Sequence, residues 1–122
     1  MEQSRIPSIS VIIPVYRGGE NFRRCLSSVQ RLAPRPLEVL VISDGGIEED
    51  AELTREYGYQ LLTLPSRVGP AGARNFAALR ALGDVLFFLD ADVEAPPDTL
   101  DHLGRAFQDN PKIAAVFGSY DD

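Results

Sequence analysis

An open α/β domain, with a mainly parallel sheet and helices on both faces, is the architecture this sequence predicts, and three features predict it. Strand-like and helix-like segments alternate from end to end. The strand-like runs, among them Leu37–Ser43 (LEVLVIS) and Val85–Leu89 (VLFFL), are largely apolar without strict alternation, as expected of strands covered on both faces. The segments between them carry apolar residues every three to four positions, which gives each helix one inward face.

Taken in order, Ile9–Val15 is a β-branched run closed by Pro14 and by the turn around Gly18-Gly19. Phe22, Cys25, Leu26, Val29 and Leu32 then recur at helical spacing. Pro34 and Pro36 end that helix, since neither has a backbone N–H to donate. Leu37–Ser43 is the second strand, followed by the turn Asp44-Gly45-Gly46. A polar helix covers Glu48–Tyr57 with Gly58 as its stop, and Tyr59–Leu64 is the third strand. Pro65–Gly72 reads as a loop leading into a helix over Ala73–Leu82. Val85–Leu89 runs directly into Asp90-Ala91-Asp92. Pro96-Pro97 opens another helix, with Asp98 in its first turn, where the helix dipole favours an acid, and with Leu100, Leu103 and Phe107 on one side. Ile113–Phe117 is a fifth strand and Gly118–Asp122 a tail.

The chain of 122 residues, 44% apolar and 25% charged, fits one domain with a real core. A net charge of -6 argues against a nucleic-acid binder, which shows a basic footprint, yet leaves room for a small anionic ligand held by backbone N–H groups and a metal ion. The single cysteine, Cys25, excludes a disulfide framework and favours a reducing, cytoplasmic setting. Residues 1–8 lack the apolar stretch of a signal peptide, and the runs Val11–Val15 and Val85–Leu89 are far too short to cross a bilayer, so a soluble chain with no membrane segment is expected.

In open sheets of this kind ligands sit beyond the carboxyl ends of the strands. Three of those ends carry conspicuous residues: Pro14-Val15-Tyr16, Ser43-Asp44-Gly45 and Asp90-Ala91-Asp92. Side chains two apart in an extended segment point the same way, so Asp90 and Asp92 can aim at one spot. Two carboxylates with little else around them suit a hard divalent cation that takes its other ligands from water and phosphate. A bare D-x-D is more often a solvated acidic turn; its position straight after VLFFL is what lifts it here. Asp44 can accept from a base N–H or a ribose hydroxyl, or belong to an ordinary Asp-Gly turn. Tyr16 offers a flat ring to a base, or packs at the core rim. Gly69-Pro70-Ala71-Gly72-Ala73-Arg74 leads into a helix whose free N–H groups can receive an anion, with Arg74 on the first turn and Arg67 nearby. The bland alternative is a loop with solvated arginines. His102 falls on the polar side of its helix, and Cys25 on the apolar stripe of the first helix, so a structural thiol is expected there.

Together these pieces resemble the family 2 glycosyltransferases of the GT-A fold, whose nucleotide-binding half is Rossmann-like. Ser10–Gln30 (SVIIPVYRGGENFRRCLSSVQ) is similar to that family's first strand and helix. LEVLVISDGG is similar to its second strand and nucleotide-binding turn, and Arg67–Asp92 (RVGPAGARNFAALRALGDVLFFLDAD) to its central stretch ending in the D-x-D metal motif. The likeness runs from about Ile9 to Tyr120. It implies that Pro14, Val15 and Tyr16 line the base pocket, that Asp44 binds the base or ribose, and that Arg74 lies beside the nucleotide. It further implies that Asp90 contacts the ribose or hydrated metal and that Asp92 ligates Mg2+ or Mn2+ bridging the diphosphate. Glu20 is a further pocket candidate whose alignment the Gly18-Gly19 turn blurs.

The implied partner is a nucleoside diphosphate sugar, with a UDP-sugar as first choice and the acceptor unspecified. The implied reaction is an inverting transfer, in which an acceptor hydroxyl attacks in line after a general base takes its proton. Two departures stand out. Ser43 occupies the place where the family often has the first of two adjacent acids. The family's catalytic base lies in the second half of its domain, and Asp121 and Asp122 do not match it. Residues 1–122 are therefore expected to be a single truncated donor-binding portion, with no catalytic residue of its own, that binds nucleotide without transferring sugar. An uncovered sheet edge would favour homo-oligomers.

Three other functional classes offer alternatives. A dinucleotide-dependent oxidoreductase wants G-x-G-x-x-G after the first strand, where this chain has PVYRGG. A nucleotidyltransferase wants a glycine- and lysine-rich phosphate loop there, and the only lysine is Lys112. A non-catalytic nucleotide-binding or interaction module of the same fold is the stronger alternative, because binding residues alone do not prove turnover.

Overall fold

The computed structural model describes residues 7–109, so the expected strand Ile113–Phe117 and the tail after it lie outside the described residues. Strands and helices alternate as β1 (Ile9–Val15), α1 (Gly19–Gln30), β2 (Glu38–Asp44), α2 (Glu48–Glu56), β3 (Gln60–Leu64), α3 (Pro70–Ala78), β4 (Val85–Phe88) and α4 (Thr99–Asp109). All described strand pairings are parallel, in the order β3-β2-β1-β4. β1 is central, with Val11 opposite Val39 on one side and Phe87 on the other.

Alternation along β1 divides the core. Ile9, Val11, Ile13 and Val15 meet Phe22, Cys25, Leu26 and Val29 of α1, together with Leu100 and Leu103 of α4. Ile12 lies in a second cluster with Leu40 and Ile42 of β2, covered by Ala73 and Ala77 of α3. Each fully buried large apolar side chain contributes about 1.5–3 kcal/mol, and most of them lie on the α1 side. Two alanines at the other contact let α3 sit close to the sheet.

The third helix departs from expectation. It begins at Pro70 rather than Ala73 and ends at Ala78 rather than Leu82. Proline suits the first helical turn, because its φ is already helical and its missing N–H would have had no partner. The early end brings Gly83 against β1. There the N–H groups of Leu82 and Gly83 donate to Glu38 Oε2 (2.6 Å) and Ser10 Oγ (2.8 Å). A Cβ on Gly83 would stand 2.6 Å from Ser10 Oγ and 2.7 Å from the Ser10 backbone nitrogen. Asp98 precedes α4 instead of lying in its first turn; its carbonyl accepts from His102 N–H at 3.1 Å. Among the described residues no helix is long and apolar enough to cross a membrane.

Candidate functional site

The chain moves outward from β1 through β2 to β3 and then returns to lay β4 on the other side of β1. At such a reversal the loops leave the carboxyl ends in opposite directions and a crevice opens between them. A cleft of about 330 Å³ lies at these carboxyl ends, lined by Pro14, Val15, Tyr16, Asp44, Arg67, Pro70, Arg74 and Asp90. Six of the residues singled out from the sequence thus share one cavity. Glu20 and Asp92 are not among its lining. Glu20 opens instead on a separate groove between α1 and α2, with Arg23, Asp50 and Glu56, and lies 3.8 Å from the Arg23 guanidinium. Ser43 is fully buried and its hydroxyl has no partner among the described residues.

Asp44 ends β2 with its carboxylate almost wholly buried, at 4% exposure. Oδ1 accepts from Val68 N–H at 2.8 Å and Oδ2 from Gly69 N–H at 2.9 Å. The side chain therefore fixes the loop that delivers α3, and Gly69 takes the φ of +91° that this sharp entry requires. Arg67, on the same loop, reaches back. Its Nε is 3.9 Å from Asp44 Oδ2, and its guanidinium carbon lies 4.1 Å from the Tyr16 ring centroid. The Arg17 guanidinium is 5.2 Å from the same ring. Across the cleft, Arg74 Nη2 is 3.4 Å from Asp90 Oδ1.

A second buried carboxylate, Asp50 of α2, plays the same part for the turn after β1, and the sequence reading missed it. It accepts from Arg17 N–H at 2.8 Å and Gly18 N–H at 3.0 Å. Arg17 stands at φ +55°, a left-handed conformation uncommon for a side chain of its size, and the Asp50 bonds hold it there. The available signal was an acid on the buried stripe of α2, beside Ala51 and Thr54.

The acidic turn after β4 is supported from below by α1. Cys25 Sγ lies 3.6 Å from the Asp90 carbonyl, and Ser28 Oγ accepts from Ala95 N–H at 2.9 Å. Ala91 and Val93 pack against the core, while Asp90, Asp92 and Glu94 are exposed. Glu94 thus extends the acidic set beyond the D-x-D. Burial first, and then the negative charge of Asp92, Asp90 and Glu94, pushes the Cys25 thiol up to about 12. A thiol so placed stays protonated at neutral pH and is no nucleophile.

The family model described as Glycosyl transferase family 2 matches residues 10–122. The chain belongs to this family. It is 32% identical to the uncharacterized glycosyltransferase YibD of Escherichia coli over 111 residues, covering 87% of this chain and 32% of that protein. Among solved structures it is similar to TarS of S. aureus in complex with UDP-GlcNAc, with a TM-score of 0.77 at 23% identity over 85% of this chain and 32% of the other. The mannosyltransferase PcManGT of Pyrobaculum calidifontis, in complex with GDP-Man and Mn2+, gives a TM-score of 0.73 at 24% identity over 85% and 32% of the two chains. These likenesses show the GT-A fold. The chain spans about a third of the length of these relatives.

The donor set offers a divalent metal two hard carboxylates, Asp90 and Asp92, on one exposed turn. Among the described residues no group of three His, Cys, Asp or Glu side chains could hold a metal ion. The chemistry fits an oxygen-seeking cation that brings water and phosphate oxygens as its remaining ligands, rather than one caged by the protein alone.

Proposed function

We propose that this family 2 chain binds the donor of an inverting, metal-dependent sugar transfer, a nucleoside diphosphate sugar with UDP as the first-choice nucleotide. The observation that carries this reading is the cleft at the β1/β4 reversal, where Tyr16, Asp44, Arg74 and Asp90 meet. Tyr16 supplies an aromatic face for the base, and Pro14 and Val15 wall the pocket. Asp44 fixes the 67–69 loop and lies at the cleft's edge for a base N–H or ribose hydroxyl. Arg74 and the N-terminus of α3 present positive charge where a diphosphate would lie. Asp90 and Asp92 would hold Mn2+ or Mg2+, which when bound neutralises charge on the departing diphosphate. UDP-GlcNAc and UDP in TarS complexes and GDP-Man with Mn2+ in PcManGT support a nucleotide donor and a metal.

The acceptor hydroxyl must lose a proton to a general base, and neither buried carboxylate suits that task. Asp44 and Asp50 each have both oxygens bonded to backbone N–H groups. We further propose that this chain alone binds donor without transferring sugar. Calorimetric titration with UDP, in Mn2+ and then in EDTA, tests it beside Asp92→Ala. Binding that needs metal and is lost in the variant is expected. A folded chain that ignores UDP in every condition would refute donor binding, and turnover by the chain alone would refute its inactivity.

A further inference from the structure

We infer that Arg67 is a displaceable occupant of the base-stacking face of Tyr16, so that a nucleobase enters this cleft by taking the guanidinium's place. The inference rests on the reading of the cleft as a nucleotide site, and it names the residue that sets how tightly the base is held. At 4.1 Å from the ring centroid the guanidinium is in stacking contact with Tyr16 and leaves no layer for a base between them. Two weak interactions hold it. One is this cation–π contact. The other is a long 3.9 Å ion pair to Asp44, from an Arg67 side chain that is 52% exposed.

The side chain can leave without unmaking the loop that carries it. The next two amides, Val68 and Gly69, are bonded to the Asp44 carboxylate and anchor the main chain, and the guanidinium adds to that anchorage only its long 3.9 Å ion pair to Asp44 Oδ2. A base stacked on an aromatic ring gains more than a half-exposed arginine does, so exchange favours the base. The cover then acts as a constant cost on every nucleoside that uses the Tyr16 face. Its removal tightens binding roughly two- to fivefold, the worth of an exposed cation–π contact.

The test uses the whole 15N-labelled chain, with uridine as an uncharged probe and UDP with Mg2+ as a charged one. The Arg67 Nε–H resonance, assigned by its loss in Arg67→Ala, is expected upfield from the Tyr16 ring current and normal in Tyr16→Leu. Uridine or UDP should move it to the unstacked position, and Arg67→Ala should bind uridine two- to fivefold tighter than wild type. Uridine binding seen only in Arg67→Ala would support the same conclusion. An Arg67 resonance that stays upfield in the bound state, or Arg67→Ala binding uridine no tighter than wild type, would overturn the inference while leaving the nucleotide site standing. Failure of both proteins to bind either probe, with both folded by circular dichroism, would overturn the site reading and this inference together.

Discussion

Replacing Asp44 by asparagine isolates the physics of the site's most buried acid. The native carboxylate receives two backbone N–H groups, one on each oxygen, at 2.8 and 2.9 Å. Asparagine keeps one oxygen and turns the other into an NH2, so that a donor faces a donor. One charge-assisted bond is lost, worth about 1.5–3 kcal/mol. The other falls to neutral strength, roughly half its former value. The Arg67 pair adds little, at most ~1 kcal/mol, because Arg67 is half exposed and salt and water screen it. Together these give a loss of ~2–5 kcal/mol, a large share of the roughly 5–15 kcal/mol typical of a domain. With a urea m-value of ~2 kcal/mol/M, the midpoint should fall by about 1–2.5 M at constant m. Far-UV circular dichroism during urea titration at pH 7 measures it, with Asp92→Asn as the exposed reference, expected within about ±0.5 kcal/mol of wild type. If Asp44→Asn and Asp92→Asn unfold at the same urea concentration, the loop amides are not held as described and the reasoning fails.

Four further outcomes follow from the same contacts. Asp50→Asn should lose a comparable ~2–4 kcal/mol, since it too sets a donor against Arg17 or Gly18 N–H, and urea denaturation reads it directly. Gly83→Ala should destabilise by about 1–3 kcal/mol, because its Cβ meets the Ser10 backbone at 2.7 Å; an unchanged thermal midpoint would contradict that close approach. Ser28→Ala removes the acceptor for buried Ala95 N–H, costing about 1–3 kcal/mol and weakening metal-dependent UDP binding through a looser acidic turn, as paired denaturation and calorimetry would record. The Cys25 thiol has a folded pKa of about 12 against 9.0 ordinarily, so the folded state keeps its proton longer than the unfolded chain. Stability from this group is therefore fully present below pH 9 and declines as pH rises toward 12; Tyr59, raised mainly by burial, adds to the decline. Cys25→Ala should flatten that slope in urea titrations across the range, and an identical slope would refute the assignment.

Much of the fold was legible because hydrophobic period and turn residues agreed. Val39–Ile42 and Val85–Phe88 read as buried strands, and the stripe Phe22-Cys25-Leu26-Val29 as a helix facing the sheet. Where the reading slipped, at α3, local signals competed. Gly69-Pro70-Ala71-Gly72 looks like loop by composition, yet Pro70 opens the helix because the Asp44 carboxylate, 25 and 24 residues earlier, holds the amides just before it. The position of six cleft residues was foreseeable from strand order, since all lie at or after carboxyl ends. The partners of Asp44 and Asp50 were not. Asp44 ends a buried strand and Asp50 lies on the buried stripe of α2, but which amides each meets is set by the tertiary approach of the 67–69 loop and of the turn after β1.

Those two acids also give the site its economy of means. A carboxylate offers about four lone-pair positions, and Asp44 commits one on each oxygen to the loop ahead of α3. Arg67 Nε lies 3.9 Å from Oδ2, so under the proposed function a base that seeks Asp44 would meet the same guanidinium that covers Tyr16. The proposed function would thus couple loop positioning and base recognition through one side chain. It predicts that an Asp44 variant loses stability and nucleotide affinity together, whereas an Arg67 variant changes affinity with little effect on stability. That separation, two neighbouring residues with different signatures, is what distinguishes a built binding cleft from an acidic turn with arginines lying over it.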